Sequence, residues 1–189
     1  MHLCTAECMC NLSKGTFMKT LLTTEHDVAW LPGKNRVEFY AATQIPQEDL
    51  ITSVHVFAFW GDRILFTKHP ERDWDIPGGH IKKNETPKAA LEREVYEETC
   101  AKLINLQVFG FIRIILLEKS FPASNYPYPE SYILLYIGHV DSLDPFVGKF
   151  ETQDRRFFTP ADAKKLSWVK RRRIVFDAAF REIMKAKNK

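Results

Sequence analysis

The sequence predicts a mixed α/β domain. Three observations carry that expectation: runs rich in β-branched and aromatic residues that stop at turn residues, one central stretch of strong helix formers, and an apolar stripe at helical spacing near the end of the chain. At 189 residues, with 45% hydrophobic residues and no low-complexity stretch, the chain is large enough for one domain with a substantial core. The 27 basic and 24 acidic residues nearly cancel, so charge gives no general argument for nucleic-acid or membrane partners.

In chain order, residues 1–17 form a leader of unclear role, "MHLCTAECMCNLSKGTF", ahead of a second methionine, Met18. Its Cys4, Cys8 and Cys10 follow a C-x3-C-x-C pattern that is not a usual zinc spacing. The leader lacks the basic start and apolar segment of a secretory signal. No apolar run approaches the roughly 18 residues of a membrane span. The expected location is therefore the cytoplasm. Residues 18–50 carry scattered aromatics (Trp30, Phe39, Tyr40) and read as a strand-containing N-terminal extension, with the main domain over 51–189.

"ITSVHVFAFW" (51–60) and "RILFTKH" (63–69) read as a strand pair across the Gly61-Asp62 turn. Thr86-Pro87 then offers a helix cap with proline at the first helical position, where its missing N–H costs nothing, and "KAALEREVYEET" continues the helix. Strand character returns in 103–119 and 131–140, around the proline-broken loop "SFPASNYPYPE", and ends in a short strand at 155–159. The remainder reads as helix: "PADAKKL", then residues 167–189 as one continuous segment. Val169, Phe176, Phe180 and Ile183 form its apolar stripe, and the "KRRR" run at 170–173 its solvated face.

Chemistry concentrates in "EREVYEETC" (92–100). On a helix, Glu94, Glu97 and Glu98 stand at i, i+3 and i+4 and share one face, flanked by apolar Leu91 and Val95. Like charges so placed repel, and a hard divalent cation with a preference for oxygen ligands would offset the repulsion. Arg93, on a neighbouring face, can brace one acid, most plausibly Glu85. A lone acidic face is usually just solvated. The wider spacing argues otherwise.

Gly78-Gly79 is followed by Glu85, Arg93-Glu94, Val95 and Glu97-Glu98 in a frame that resembles the Nudix box, G-x5-E-x7-R-E-U-x-E-E-x-G-U, with U a bulky aliphatic residue. Two positions depart: Cys100 replaces the closing glycine and Ala101 the last aliphatic residue. The glycine's role is conformational, ending the helix in a left-handed backbone, so Cys100 is expected to be a tolerated, inert substitution rather than a nucleophile.

The resemblance implies the Nudix fold, a mixed β-sheet sandwiched between α-helices with the box as a loop–helix–loop. It implies metal-dependent hydrolysis of a nucleoside diphosphate linked to another moiety. It further implies Mg2+ or Mn2+ held by Glu94, Glu97, Glu98 and the Gly78 carbonyl, with Glu94 alternatively working in part as base. Gly79 and Glu85 become structural members of the motif and Arg93 part of the catalytic set. A further carboxylate from a late loop is expected from Glu151, with Asp154 behind it. Trp74, Tyr126 and Tyr128 are the candidates for substrate contacts.

The substrate itself stays open among nucleotide sugars, dinucleotides and modified nucleoside triphosphates. "NYPYPES" faintly echoes part of the NADH-pyrophosphatase signature, and 8-oxo-dGTP remains in play. Rival classes fare worse. An isopentenyl diphosphate isomerase needs an active-site cysteine that nothing near "DWDIPGGH" supplies. A binding-only sensor would have lost box acids, and a DNA-binding regulator would need a further domain. The expected partner is a small-molecule nucleotide, not a membrane or a nucleic acid, and a homodimer stays open.

Overall fold

Period-two burial builds the sheet. The computed structural model describes residues 19–119, 126–148 and 152–187, so the cysteine-bearing leader and Glu151 lie outside the described residues. The strands are β1 (Lys19–His26), β2 (Asn35–Ala42), β3 (Ile51–Trp60), β4 (Arg63–His69), β5 (Asp73–Asp75), β6 (Gly78–His80), β7 (Ala101–Leu116), β8 (Glu130–Leu143) and β9 (Asp154–Phe158). They form one sheet in the order β1-β2-β7-β8-β3-β4-β5, with β6 added to β3 and β9 to β4. The β3–β8 pairing is parallel and the others are antiparallel. The helices are α1 (Pro87–Thr99), α2 (Pro160–Ala163), α3 (Ser167–Arg171) and α4 (Arg173–Lys187).

Alternation along β3 sorts the core into two layers. Phe57 and Phe59 face Trp168, Val169, Phe176, Ala179 and Ile183 of α3 and α4, in a cluster of buried residues. Val54, Val56 and Ala58 face Ala90, Leu91 and Val95 of α1. The expected sandwich of a mixed sheet between helices is what the chain forms.

Two expectations gain detail. The strands within the expected N-terminal extension join the sheet: β2 pairs with β7 along seven residue pairs and β1 pairs with β2. Asn35, 1% exposed, organises the turn between them by accepting from the Val28 N–H and donating to the Gly33 carbonyl. The C-terminal segment is not one helix, because the backbone leaves helical geometry at Arg172 (φ −116°, ψ 37°). Arg172 is no part of a solvated face: it is 7% exposed, bonds Glu25 at 2.8 Å and lies over the rings of Phe39 and Trp168. A buried guanidinium needs such a partner, since an unpaired one would cost several kcal/mol.

Candidate active site

Local signals set the helix that carries the acids. The Thr86 hydroxyl accepts the Ala89 N–H, and Pro87 occupies the first turn. At the other end Cys100 takes φ 52° and ψ 28°, the left-handed geometry expected of the replaced glycine, and its N–H closes on the Tyr96 carbonyl. Ala90, Leu91 and Val95 bury one side of α1 completely. The next side turns Glu94, Glu97 and Glu98 into a cleft of about 580 Å3, bounded opposite by β6 and the start of β3.

The two glycines of β6 serve different neighbours. Gly78, at φ 149°, has the Val54 carbonyl oxygen 2.1 Å from where a Cβ would sit. Gly79 instead meets the carboxyl carbon of Glu94 at 2.5 Å from that position. One glycine lets β6 close on β3, and the other lets Glu94 close on β6.

Arg93 is the hub. Its Nε and Nη2 donate to the two oxygens of Glu85 at 2.7 and 2.8 Å, while Nη1 donates to Glu94 at 2.6 Å and Glu97 at 3.2 Å. Nη2 also reaches the His80 carbonyl. The forked pairing, helped by the Lys82 N–H, holds the Glu85 carboxyl down at about 2 and the Arg93 guanidinium above its ordinary value. Glu85 therefore braces Arg93 from outside the cleft, as the sequence suggests.

Glu98 sits apart from its two neighbours in character. It is 8% exposed, accepts the Gly78 N–H at 3.0 Å through Oε2 and lies 3.3 Å from His69 Nε2 through Oε1. Burial pushes its carboxyl up, against the pull of His69 and the Gly78 amide. The helix end below it is pinned by the Thr152 hydroxyl on the Glu98 carbonyl and by Arg155 on the carbonyls of Thr99 and Asp144. His55, half-buried in the cleft lining, is held below its ordinary value by desolvation.

The donor set suits a hard cation: carboxylates on one wall and a glycine backbone facing them. Among the described residues, no three histidine, cysteine or acidic side chains converge closely enough in this arrangement to hold a metal ion. Glu94 and Glu97 meet at one guanidinium nitrogen of Arg93, which supplies the positive charge they share. Glu97, with its side chain 44% exposed, is the most open of the three acids and has Lys82 at 3.8 Å as a second cation.

Of the residues singled out from sequence, Gly78, Gly79, Arg93, Glu94, Glu97, Glu98 and Tyr126 line one cleft. Trp74 does not line it: it packs on Phe158 and beneath Arg156. Tyr128 is exposed and also outside the lining, Asp154 pairs with Arg156, and Glu151 falls outside the described residues. Tyr126 joins a small aromatic rim, with Trp30 edge-on at 5.8 Å and His80 tilted at 5.7 Å. Sequence reasoning misses the lining residues Ser53, His55, Arg72, His80, Lys82 and Thr152, and His69 beside them. Alternation through Leu65, Thr67 and His69 places His69 on the α1 side of β4 and could have found it; Arg72, in a turn, carries no such signal.

A loop–helix–loop whose acids and paired glycines face one cleft, set on a mixed sheet, defines the class of site. The chain belongs to the Nudix family: the NUDIX domain model matches residues 49–179. Among curated proteins it is 28% identical over 108 residues to the Bacillus subtilis (strain 168) protein named "Putative 8-oxo-dGTP diphosphatase YtkD", a match covering 57% of this chain and 62% of that one. The chain thus spans less than two thirds of that relative's length.

Among solved structures, a mutant of the Bacillus subtilis pyrophosphohydrolase BsRppH superposes with a TM-score of 0.59 at 22% identity, covering 79% of this chain and 92% of that one. The MutT protein of Bacillus halodurans superposes with a TM-score of 0.50 at 15% identity, covering 68% and 80%. Both likenesses are of fold. Among the described residues, no helix is long and apolar enough to cross a membrane.

Proposed function

We propose that the chain is a metal-dependent pyrophosphohydrolase acting on a nucleoside diphosphate linked to another moiety, with modified nucleoside triphosphates of the 8-oxo-dGTP type first among its substrates. The observation that carries this is one cleft lined by two kinds of group: an acid wall of Glu94, Glu97 and Glu98, and the aromatic rings of Tyr126 and His80, with Trp30 beside Tyr126. A nucleotide brings the matching pair, phosphates and a flat base. Stacking on the rim would hold the base, and carboxylates would hold what the phosphates need.

Glu94, Glu97, Glu98 and the Gly78 carbonyl would hold Mg2+ or Mn2+, with Glu151 as a candidate further ligand from the late loop. The bound cation would screen the polyanion and lower the pKa of an attacking water. The chain's own part is positional. Arg93 holds Glu94 and Glu97 on one side of the cleft, and the Gly78 N–H with His69 fixes Glu98 in its wall. Family resemblance to an 8-oxo-dGTP diphosphatase by name supports the choice of substrate class.

The test is phosphate release with Mg2+ across nucleotide sugars, dinucleotides including NADH, and modified nucleoside triphosphates including 8-oxo-dGTP. Cleavage within a pyrophosphate bond, abolished by chelator and rising toward alkaline pH, is the expected result. Tight binding of one compound without turnover of any would make the chain a nucleotide sensor instead.

A further inference from the structure

The cleft's cations are not equivalent. Arg93 is committed to Glu85, Glu94 and Glu97, and Lys82 lies 3.8 Å from Glu97. Arg72 also lines the cleft and is exposed, yet among the described residues it has no carboxylate partner. Its contact is with His69: Nη2 lies 3.3 Å from Nδ1 and 3.5 Å from Nε2. A hydrogen bond in the ring plane to one nitrogen would leave the other far away. In-plane equidistance would instead drive Nη2 into the ring carbon between them. The guanidinium nitrogen therefore lies over the face of the imidazole.

That arrangement has a chemical consequence. A guanidinium tethered through one nitrogen keeps the donors on its other nitrogens for another partner. The ring that holds Nη2 is fixed, because His69 is 5% exposed and sits 3.3 Å from Glu98. Arg72 is thus a cation held in place, beside the acid wall, with forked donors unspent on any carboxylate. Forked donors of this kind match phosphate oxygens.

We propose that Arg72 is the phosphate anchor of the cleft: held through Nη2 on His69, it presents its remaining N–H groups to a phosphate of the bound nucleotide. This rests on the pyrophosphohydrolase reading above and adds to it a substrate-contacting residue in the β4–β5 turn. The same contact ties the anchor to Glu98 through one imidazole, so the phosphate and the buried acid are placed by the same side chain.

The test measures binding by calorimetry, in Mg2+, of dGTP carrying methylene groups in place of both bridging anhydride oxygens, with deoxyguanosine as the phosphate-free control. Arg72→Ala should weaken the analogue about tenfold to a hundredfold, the range of a charge-assisted hydrogen-bonded contact, and leave deoxyguanosine unchanged. Arg72→Lys should recover only a minor part, since an ammonium keeps the charge but offers no planar fork. Arg72→Ala binding the analogue as tightly as wild type would overturn the anchor while leaving the functional reading intact. Equal weakening of analogue and nucleoside would also overturn it, by showing that Arg72 merely shapes the cleft. If wild type itself fails to bind the analogue, the phosphate cleft and its anchor fall together.

Discussion

The helices α1 and α4 cover opposite faces of one sheet, yet they use their charges differently. Both bury an apolar side: Ala90, Leu91 and Val95 in α1, and Val175, Phe176, Ala179 and Ile183 in α4. The charges of α4 pair mainly within their own helix, Arg173 with Asp177 and Lys185 with Glu182, with Lys164 the one neighbour from outside it, 3.6 Å from Asp177 among the described residues. Those of α1 reach other elements: Arg93 to Glu85 and the His80 carbonyl, and Glu98 to Gly78 and His69. Solvated i,i+4 pairs contribute a few tenths of a kcal/mol and could be rearranged freely. Charges locked to distant backbone cannot be. What separates a functional helix from a structural one here is where its polar groups find partners.

The sharpest way to break this contrast is through the paired glycines facing α1. Gly78→Ala sets a Cβ against the Val54 backbone oxygen, which cannot retreat, and should cost about 3 kcal/mol or more in urea unfolding. Gly79→Ala meets only the end of the flexible Glu94 side chain, so stability should fall by less than about 1 kcal/mol. Turnover should nevertheless fall at least about tenfold, because the displaced carboxylate belongs to the acid wall. Similar stability losses in both variants would show that the two glycines do the same job.

Acid titration sharpens the contrast next. Glu85 ionises at about 2 in the folded chain against an ordinary value of 4.5, so its pairing with Arg93 stabilises the fold at pH above about 4.5. That contribution is lost as pH falls from 4.5 toward about 2. Urea midpoints measured across this window should drop less steeply in Glu85→Gln than in wild type. Parallel curves would mean the Arg93 lock adds nothing to stability.

Two smaller effects follow. Cys100→Gly should raise stability by about 1 kcal/mol, since φ 52° strains any residue with a Cβ, and should leave turnover unchanged. A large loss of turnover would instead give the thiol a chemical role. On α4, Arg173→Ala should move stability by no more than about 0.5 kcal/mol, and a larger change by thermal melting would contradict the solvated-pair view of that helix.

The parts of this molecule that are legible in the sequence are those set by near neighbours. Thr86-Pro87 caps α1 within one turn, Gly61-Asp62 turns β3 into β4, and the spacing of Glu94, Glu97 and Glu98 alone puts them on one face. What stays hidden depends on distant partners. The place of β2 beside β7 joins residues about seventy to eighty positions apart, from Ala41 with Gly110 to Asn35 with Leu116, which local pattern does not encode. Arg172 reads as one more solvated arginine because its partners, Glu25 and Phe39, come from the other end of the chain. Trp74 stands beside the glycine pair in sequence and so reads as a substrate contact, but strand alternation sends it to Phe158. Arg72 needs the imidazole beneath it to be seen at all.

Thermal melting with and without Mg2+ tests most directly the proposed metal site on the shared face of α1. Glu92 is the internal control: it belongs to the same acidic run, but pairs with Lys88 on an exposed side and does not line the cleft. Mg2+ should raise the melting temperature of wild type and of Glu92→Gln alike, by mass action on the folded state. Glu97→Gln and Glu98→Gln should lose most of that shift and, in the matched assay, on the order of a hundredfold or more in turnover. If Mg2+ stabilises Glu97→Gln and Glu98→Gln as well as wild type, or if Glu92→Gln loses as much as they do, the acid wall does not hold the metal.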